Sequence, residues 1–432
     1  MNLKAKINDK TIIAAIIFTG IIFLSAFKVK HSIGFMNLDE FLWMYRSRFF
    51  MDRILSWDFS GLIQSAQPGI MVMWFAGPFM KIIDYDFSNI QRMIEELGKS
   101  GGYNVINDTG LNYYAGYEYI SFLFNIPIVF LMVAFITVSY LFIRKMGICR
   151  RAALLSMILV ATSPYYIFFT TPTDKLVGIF AVTSLLSLLI HAQKKGKVKF
   201  LIISGFFGSW AALTKMSALF LVPFSVLVIF YMKLGAKGLS EKKELFGRIR
   251  RSLGEFAIWL SVFFVTSIVF LPTIITDPGQ VKKLFLGETS SRLVAESGSL
   301  SFLGPISRYL GDSFWLSFNI FVIIVFLSFL FLIIKGNRNN MNLSKEIKVL
   351  YYFVFLFFLS VGLFGKEYSF RYLVPALMIF QIISGLGIYE FSKILAKKSG
   401  IYSENETYVW ALIFILISQA LLIYYSEIVP IN

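Results

Sequence analysis

The sequence is poor in the residues that most soluble enzymes rely on. It has one cysteine, Cys149, and two histidines, His31 and His191. A lone thiol excludes an internal disulfide and any cysteine-rich metal centre. Two histidines so far apart offer no zinc or iron site, which needs several clustered ligands. His191, beside a lysine-rich loop, reads as an interfacial side chain. Charged residues make up 15% of the chain, where a soluble domain carries about 25%. Gly98-Lys99-Ser100 ends like a phosphate-binding loop, but Met93 stands where the first glycine is required. With no nucleotide loop, the sequence argues against an ATP-driven pump and against a soluble type of nucleotide-sugar enzyme.

What the chain has instead is apolar length. Hydrophobic residues make up 57% of it, with 47 Phe and 21 Tyr. They gather in runs long enough to cross a bilayer, which takes roughly 20 residues, or about 17 at the least. The runs are Thr11–Phe27, Tyr119–Ile143, Ala152–Phe169, Leu176–His191, Phe200–Leu213, Ser217–Met232, Glu255–Leu271, Ser313–Ile334, Leu350–Phe364, Tyr372–Phe391 and Tyr408–Tyr425. The expectation is an all-α polytopic transmembrane bundle of about 11 spans, one integral membrane domain over 1–432. The net charge of +16 would suggest nucleic acid in a soluble protein. Here most of the basic residues fall in short loops on one side, while Asp39, Glu40, Asp52, Asp58, Asp84, Asp86, Asp108, Asp174 and Asp277 fall on the other. That asymmetry predicts the N-terminus inside and the C-terminus outside, with the bilayer, not nucleic acid, as the charge's partner.

Two outer loops are long, 28–118 and 272–312, and the first has room for a site. Asn37-Leu38-Asp39-Glu40 opens a helix there, with Asn37 and Glu40 at capping-box spacing. Asp39 and Glu40 read equally as acids at a helix N-terminus or as a carboxylate pair able to act on a hydroxyl. Asp39, Arg46 and Arg53 share a helix face, and the arginines suit balancing nearby acids. Gly69 to Met80 is apolar but too short to span, and is expected to be re-entrant or to lie along the interface. In Thr171-Pro172-Thr173-Asp174, Thr173 reads as a cap and Asp174 as a first-turn acid. Lys215, Lys366 and Arg371 stand at the outer face against the positive-inside bias. Ionisable groups there are costly and often functional: an anion, with phosphate the natural candidate, would account for them, and so would snorkelling at a helix end.

These residues, in this order, resemble the GT-C membrane glycosyltransferases, in the branch of protein O-mannosyltransferases and lipid A aminoarabinose transferases. The resemblance rests on Asp39-Glu40 after the first span, on Gln67-Pro68-Gly69 and Thr173-Asp174, and on Leu213-Thr214-Lys215 and Arg371-Tyr372-Leu373-Val374-Pro375. It covers roughly residues 1–395. Gln67 stands where the family usually has a basic residue or histidine, and the insert from Asp84 to Gly116 is longer than in the simplest members.

The resemblance implies a multi-pass cell-membrane enzyme. It would move a sugar from a polyprenyl-phosphate donor to an acceptor hydroxyl on a protein, lipid or glycan at the extracytoplasmic face, with inversion. Asp39 would be the general base and Glu40 its partner. Lys215 and Arg371 would share one pocket for the donor phosphate, and Asp174, Gln67, Arg46 and Lys366 would position donor or acceptor. No cofactor and no metal are implied, although the outer carboxylates could bind a divalent cation. The alternatives are a lipid-linked glycan flippase or transporter, which needs polar residues at mid-span, and an O-antigen ligase or polymerase, with its basic residues in a large later outer loop.

Overall fold

The computed structural model describes residues 38–60, 62, 69–83, 117–163, 171–193, 197–234, 242–282, 345–364, 373–399, 403, 405–413 and 415–416. Among these the chain is helical, with no strand. The elements used below are α1 (Leu38–Leu55), α2 (Ile70–Ile82), α3 (Tyr117–Lys145), α4 (Arg150–Ala161), α5 (Pro172–Gln193), α6 (Val198–Thr214), α7 (Leu221–Leu234), α8 (Lys242–Phe270), α9 (Thr273–Thr276), α10 (Lys345–Phe364) and α11 (Val374–Ser399). A 3-10 turn, Met216–Phe220, joins α6 to α7.

Among the described residues, five segments are long and apolar enough to cross a bilayer: Ile120–Lys145, Pro172–Gln193, Met216–Lys233, Leu245–Phe270 and Val374–Lys397. Each lies on a span expected from run length. α6 is helical but only 17 residues long. The expected spans at 11–27 and 313–334 lie outside the described residues, as does most of 408–425. α8 begins at Lys242, well before the expected Glu255: Lys, Glu, Leu and Arg, good helix formers, make up most of Lys242 to Arg251 and continue the turn in spite of Gly247. Its 29 residues make it about 44 Å long, more than the roughly 30 Å hydrocarbon core.

α5 is the centre of the bundle, buried from Pro172 to His191. It packs on α6, α3 and α11, and α6 packs in turn on α8. A helix apolar on all sides belongs inside other helices. Lipid is as apolar as leucine, so the contacts depend on small residues and interhelical hydrogen bonds. A Cβ at Gly205 would come within 2.7 Å of the Trp259 carbonyl, and one at Gly385 within 2.4 Å of the Ser156 Cα. Ser184 Oγ donates to the Ser204 carbonyl at 2.8 Å, and the buried Trp259 indole N–H donates to Ser204 Oγ at 2.9 Å. Ser156 Oγ donates to the Ile382 carbonyl at 2.7 Å, joining α4 to α11. Interhelical bonds of this kind contribute about 0.6 kcal/mol each on average.

The short apolar segment expected to be re-entrant or to lie along the interface packs against other helices. Ile70 to Met73, Ala76 and Met80 of α2 are at most 1% exposed, and the helix packs on α1, α3, α5 and α6. The reason is pairing with α1: Arg48 donates to the Met80 and Lys81 carbonyls at 3.0 and 2.7 Å, closing the end of α2. An apolar helix with a polar partner on one side can enter the bundle instead of floating on it.

His191, expected as an interfacial side chain, is buried at the end of α5. It is 2% exposed, its Nε2 3.1 Å from Glu255 Oε2 and its Nδ1 3.3 Å from the Lys197 carbonyl. Lys233 Nζ meets Glu255 Oε1 at 2.7 Å. The cluster ties α5, α7 and α8 at the end of the bundle opposite Lys215.

Candidate functional site

The site grows from the N-terminus of α5. Thr171 precedes Pro172, which occupies the first helical position, where a missing N–H costs nothing. Thr171 Oγ1 donates to Asp174 Oδ2 at 2.6 Å, the Thr171 N–H donates to the same oxygen at 3.1 Å, and the Asp174 N–H reaches Thr171 Oγ1 at 3.3 Å. This is a reciprocal cap at the spacing T-x-x-D, with aspartate in place of the usual glutamate. The cap is therefore Thr171 and not Thr173. The sequence carried the signal, but Thr173 is nearer to Asp174 and draws the eye. Thr173 supports the cap, its hydroxyl 2.8 Å from that of Thr171.

The other Asp174 oxygen, Oδ1, takes Lys215 Nζ at 2.5 Å. The carboxylate side chain is 0% exposed and the lysine side chain 4%. Lys215 stands in extended backbone between α6 and the 3-10 turn, φ −153° and ψ 131°, so its side chain leaves the helical path and reaches across to α5. Two residues 41 apart in sequence are thus paired in a dry environment, where a charge is tolerated only with a partner. Lys175, 6% exposed, is a second buried cation at this end of α5 that sequence reasoning passed over.

Beside Lys215, the first-loop helices join the bundle. The Thr214 carbonyl accepts the Gly69 N–H at 3.1 Å. Gly69 has φ +53°, in the left-handed region, and a Cβ there would fall 2.0 Å from the Trp43 ring. Only glycine satisfies both demands. Trp43 belongs to α1, and Arg46 lies 5.0 Å from its ring centroid. Trp74 of α2 donates its indole N–H to the Phe270 carbonyl at 2.8 Å, and Thr273 Oγ1 donates to the Phe59 carbonyl at 2.7 Å. At the start of α11, Val374 and Met378 press on Gly178, one turn along α5 from Asp174.

Contacts therefore run from α1 through Trp43 to Gly69, on to Thr214 and Lys215, then to Asp174, Gly178 and Val374. Five ring systems surround Trp210, one turn before Thr214: Phe206 at 4.4 Å, Phe180 and Phe270 at 5.2 Å, Phe75 at 5.4 Å and Phe207 at 5.6 Å between centroids. They form an apolar wall just inside the charged pair.

Arg53 does not face the site. It binds Asp58 at 2.5 Å and lies 4.5 Å from the Phe49 ring centroid, which is the acid-balancing role expected of it. The Ser60 hydroxyl and then Arg53 hold the Asp58 carboxyl below its ordinary value. Asp39 and Glu40 fall in the first turn of α1, and their side chains lie outside the described residues. So do Gln67, Lys366, Arg371 and the 84–116 insert. Among the described residues, no three His, Cys, Asp or Glu side chains gather where a metal could bind.

No family model matches the chain, and no curated protein matches it. Among solved structures, it is similar to that of ArnT from Cupriavidus metallidurans bound to undecaprenyl phosphate. The identity is 12% and the TM-score 0.57, over 95% of this chain and 70% of that one. An Archaeoglobus fulgidus oligosaccharyltransferase in complex with zinc and sulfate matches at 14% identity and a TM-score of 0.38, over 72% and 43% of the two chains. The ArnT likeness is one of fold. The second superposition is too loose to inform it.

Proposed function

We propose that the chain is an integral membrane glycosyltransferase of GT-C type, moving a sugar from a polyprenyl-phosphate donor to an acceptor hydroxyl on the extracytoplasmic side. One observation carries the reading. Gly69, Thr214, Lys215 and Asp174, from three of the five sequence elements behind the GT-C resemblance, touch one another at one end of the bundle, Val374 of a fourth packs on Gly178 one turn along α5 from Asp174, and α1, which opens with Asp39-Glu40, reaches Gly69 through Trp43. The likeness of fold to ArnT, a protein captured with undecaprenyl phosphate, supports the same donor chemistry here. The aromatic wall around Trp210 is the kind of surface on which an isoprenoid chain packs.

In this reading the acceptor oxygen attacks the anomeric carbon, and the bond from that carbon to the phosphate oxygen breaks with its electron pair left on the phosphate. The hydroxyl proton passes to Asp39, assisted by Glu40, and the anomeric centre inverts. Lys215 and Arg371 meet the charge that grows on the phosphate, where a fixed cation in a dry site lowers the barrier most. Asp174 orients Lys215, while Gln67, Arg46 and Lys366 line the approach of donor or acceptor. Loops 28–118 and 272–312 would face outward.

Asp39→Asn tests the reading. Loss of a general base should lower transfer by about a hundredfold to ten-thousandfold while undecaprenyl phosphate still binds. An active Asp39→Asn protein, less stable by about 1 kcal/mol, would assign Asp39 to helix capping. Mass spectrometry of surface glycans and glycoproteins with and without the gene would name the sugar and the acceptor.

A further inference from the structure

We infer that Asp174 is an internal counter-ion that competes with the lipid phosphate for Lys215 and so governs how readily the spent carrier leaves. The inference rests on the glycosyltransferase reading above.

Every described partner of the Asp174 carboxylate is internal. Oδ2 receives both donors of Thr171, and Oδ1 receives Lys215 Nζ. The hydroxyl chain has a direction: Thr171 spends its single proton on Asp174, so its oxygen accepts from the Thr173 hydroxyl at 2.8 Å and from the Asp174 N–H at 3.3 Å. A carboxylate held on both oxygens and fully buried is poorly placed to touch a sugar. It holds the ammonium and cancels most of its field.

An arriving phosphate must therefore share the ammonium, which has three donors, with a carboxylate already in place. The donor is a phosphodiester carrying one negative charge. The product is a phosphomonoester carrying about −1.5 to −2 near neutral pH. A lysine without a counter-ion would bind that product tightest of all and slow each turnover at release. A lysine shared with a fixed carboxylate binds both forms less tightly, and the larger relief falls on the more highly charged product. Asp174 acts here through Lys215, as a positioning residue.

The test is binding of undecaprenyl phosphate to the purified full-length chain in nanodiscs, with affinity, dissociation rate and thermal unfolding measured. Asp174→Asn removes the charge and keeps the shape. It should bind the lipid several-fold more tightly than wild type and release it more slowly. It should also unfold at a lower temperature when lipid-free and gain more from saturating lipid than wild type does. Asp174→Ser, a smaller neutral side chain, should behave in the same direction. Asp174→Asn with Lys215→Met should recover stability and lose the phosphate-dependent part of binding.

Weaker lipid binding by both neutral variants would overturn the inference, because Asp174 would then help to hold the lipid. If both variants fail to fold and undecaprenyl phosphate present during extraction does not rescue them, the role is structural and the competition is refuted. If wild type itself does not bind the lipid while the protein is folded, the glycosyltransferase reading fails first, and this inference with it.

Discussion

α5 carries a buried carboxylate–base contact at each end, and the two are built by different rules. At its N-terminus Asp174 and Lys215 are 0% and 4% exposed in their side chains, and both carboxylate oxygens hold hydrogen bonds. At its C-terminus Glu255 is shared between Lys233 and His191, with side chains 14%, 21% and 2% exposed. The His191 contact, at 3.1 Å, lacks the alignment of a hydrogen bond. The first pair is dry and saturated. The second is partly wet and shares one acid between two bases. A dry, saturated pair cannot relax when one partner is lost, whereas a wet one finds water or salt.

The largest effect should come from breaking the dry pair on one side. Lys215→Met leaves Asp174 buried without its cation and should destabilise the protein by about 3–5 kcal/mol. Adding Asp174→Asn should return most of that stability and none of the transfer activity, as read by thermal unfolding and single-turnover assays of the single and double variants. Additive losses would show that the two groups do not depend on each other.

Gly69→Ala should come next. It places a Cβ where the Trp43 ring sits and forces an L residue to φ +53°, costing about 1–3 kcal/mol of strain. Because Gly69 donates to Thr214, beside Lys215, transfer should fall more than stability does. Trp43→Leu in the same chain should relieve the clash and leave only the backbone cost.

At the opposite end, Glu255→Gln should cost about 1 kcal/mol, because Lys233 keeps some access to water. The loss should shrink as salt rises, and transfer should be nearly unchanged. A loss matching that of Lys215→Met would erase the distinction between the two ends.

The smallest effect concerns the first loop. Ser60→Ala removes the hydroxyl that holds the Asp58 carboxyl down, so its midpoint should move up toward the ordinary carboxylate value in a proton titration. In wild type a depressed carboxyl stabilises the fold at pH above the ordinary carboxylate range, and that contribution fades as pH falls through the depressed value. The variant should therefore be less stable than wild type above the ordinary carboxylate range, and the difference should vanish as pH falls through the depressed value.

Much of the bundle was legible because crossing a membrane is a demand on length. Run length placed α3, α5, the Met216–Lys233 span, α8 and α11, and set the start of α8 too late, because the turn continues back through Lys242 to Arg251. The site was less legible. Lys215 stood out because a lysine there opposes the charge bias, and Asp174 because it opens a span. Their pairing was hidden, since nothing in a linear sequence says which two loop-end residues will share a dry contact. The partners of His191 and of the segment after Gly69 were hidden for the same reason, Glu255 in one case and α1 in the other.

By itself the sequence determined that this chain builds apolar helices of membrane length, and which ends carry charge against the general bias. Those properties are local, set by hydropathy over a span and by the cost of a lone charge in lipid. Only the tertiary structure decided that Asp174 spends its carboxylate on Lys215. It likewise decided that Gly69 threads between Trp43 and Thr214 to bring the first loop against that pair. Such choices depend on which backbones approach closely enough to exclude water, and that is settled by packing between helices far apart along the chain.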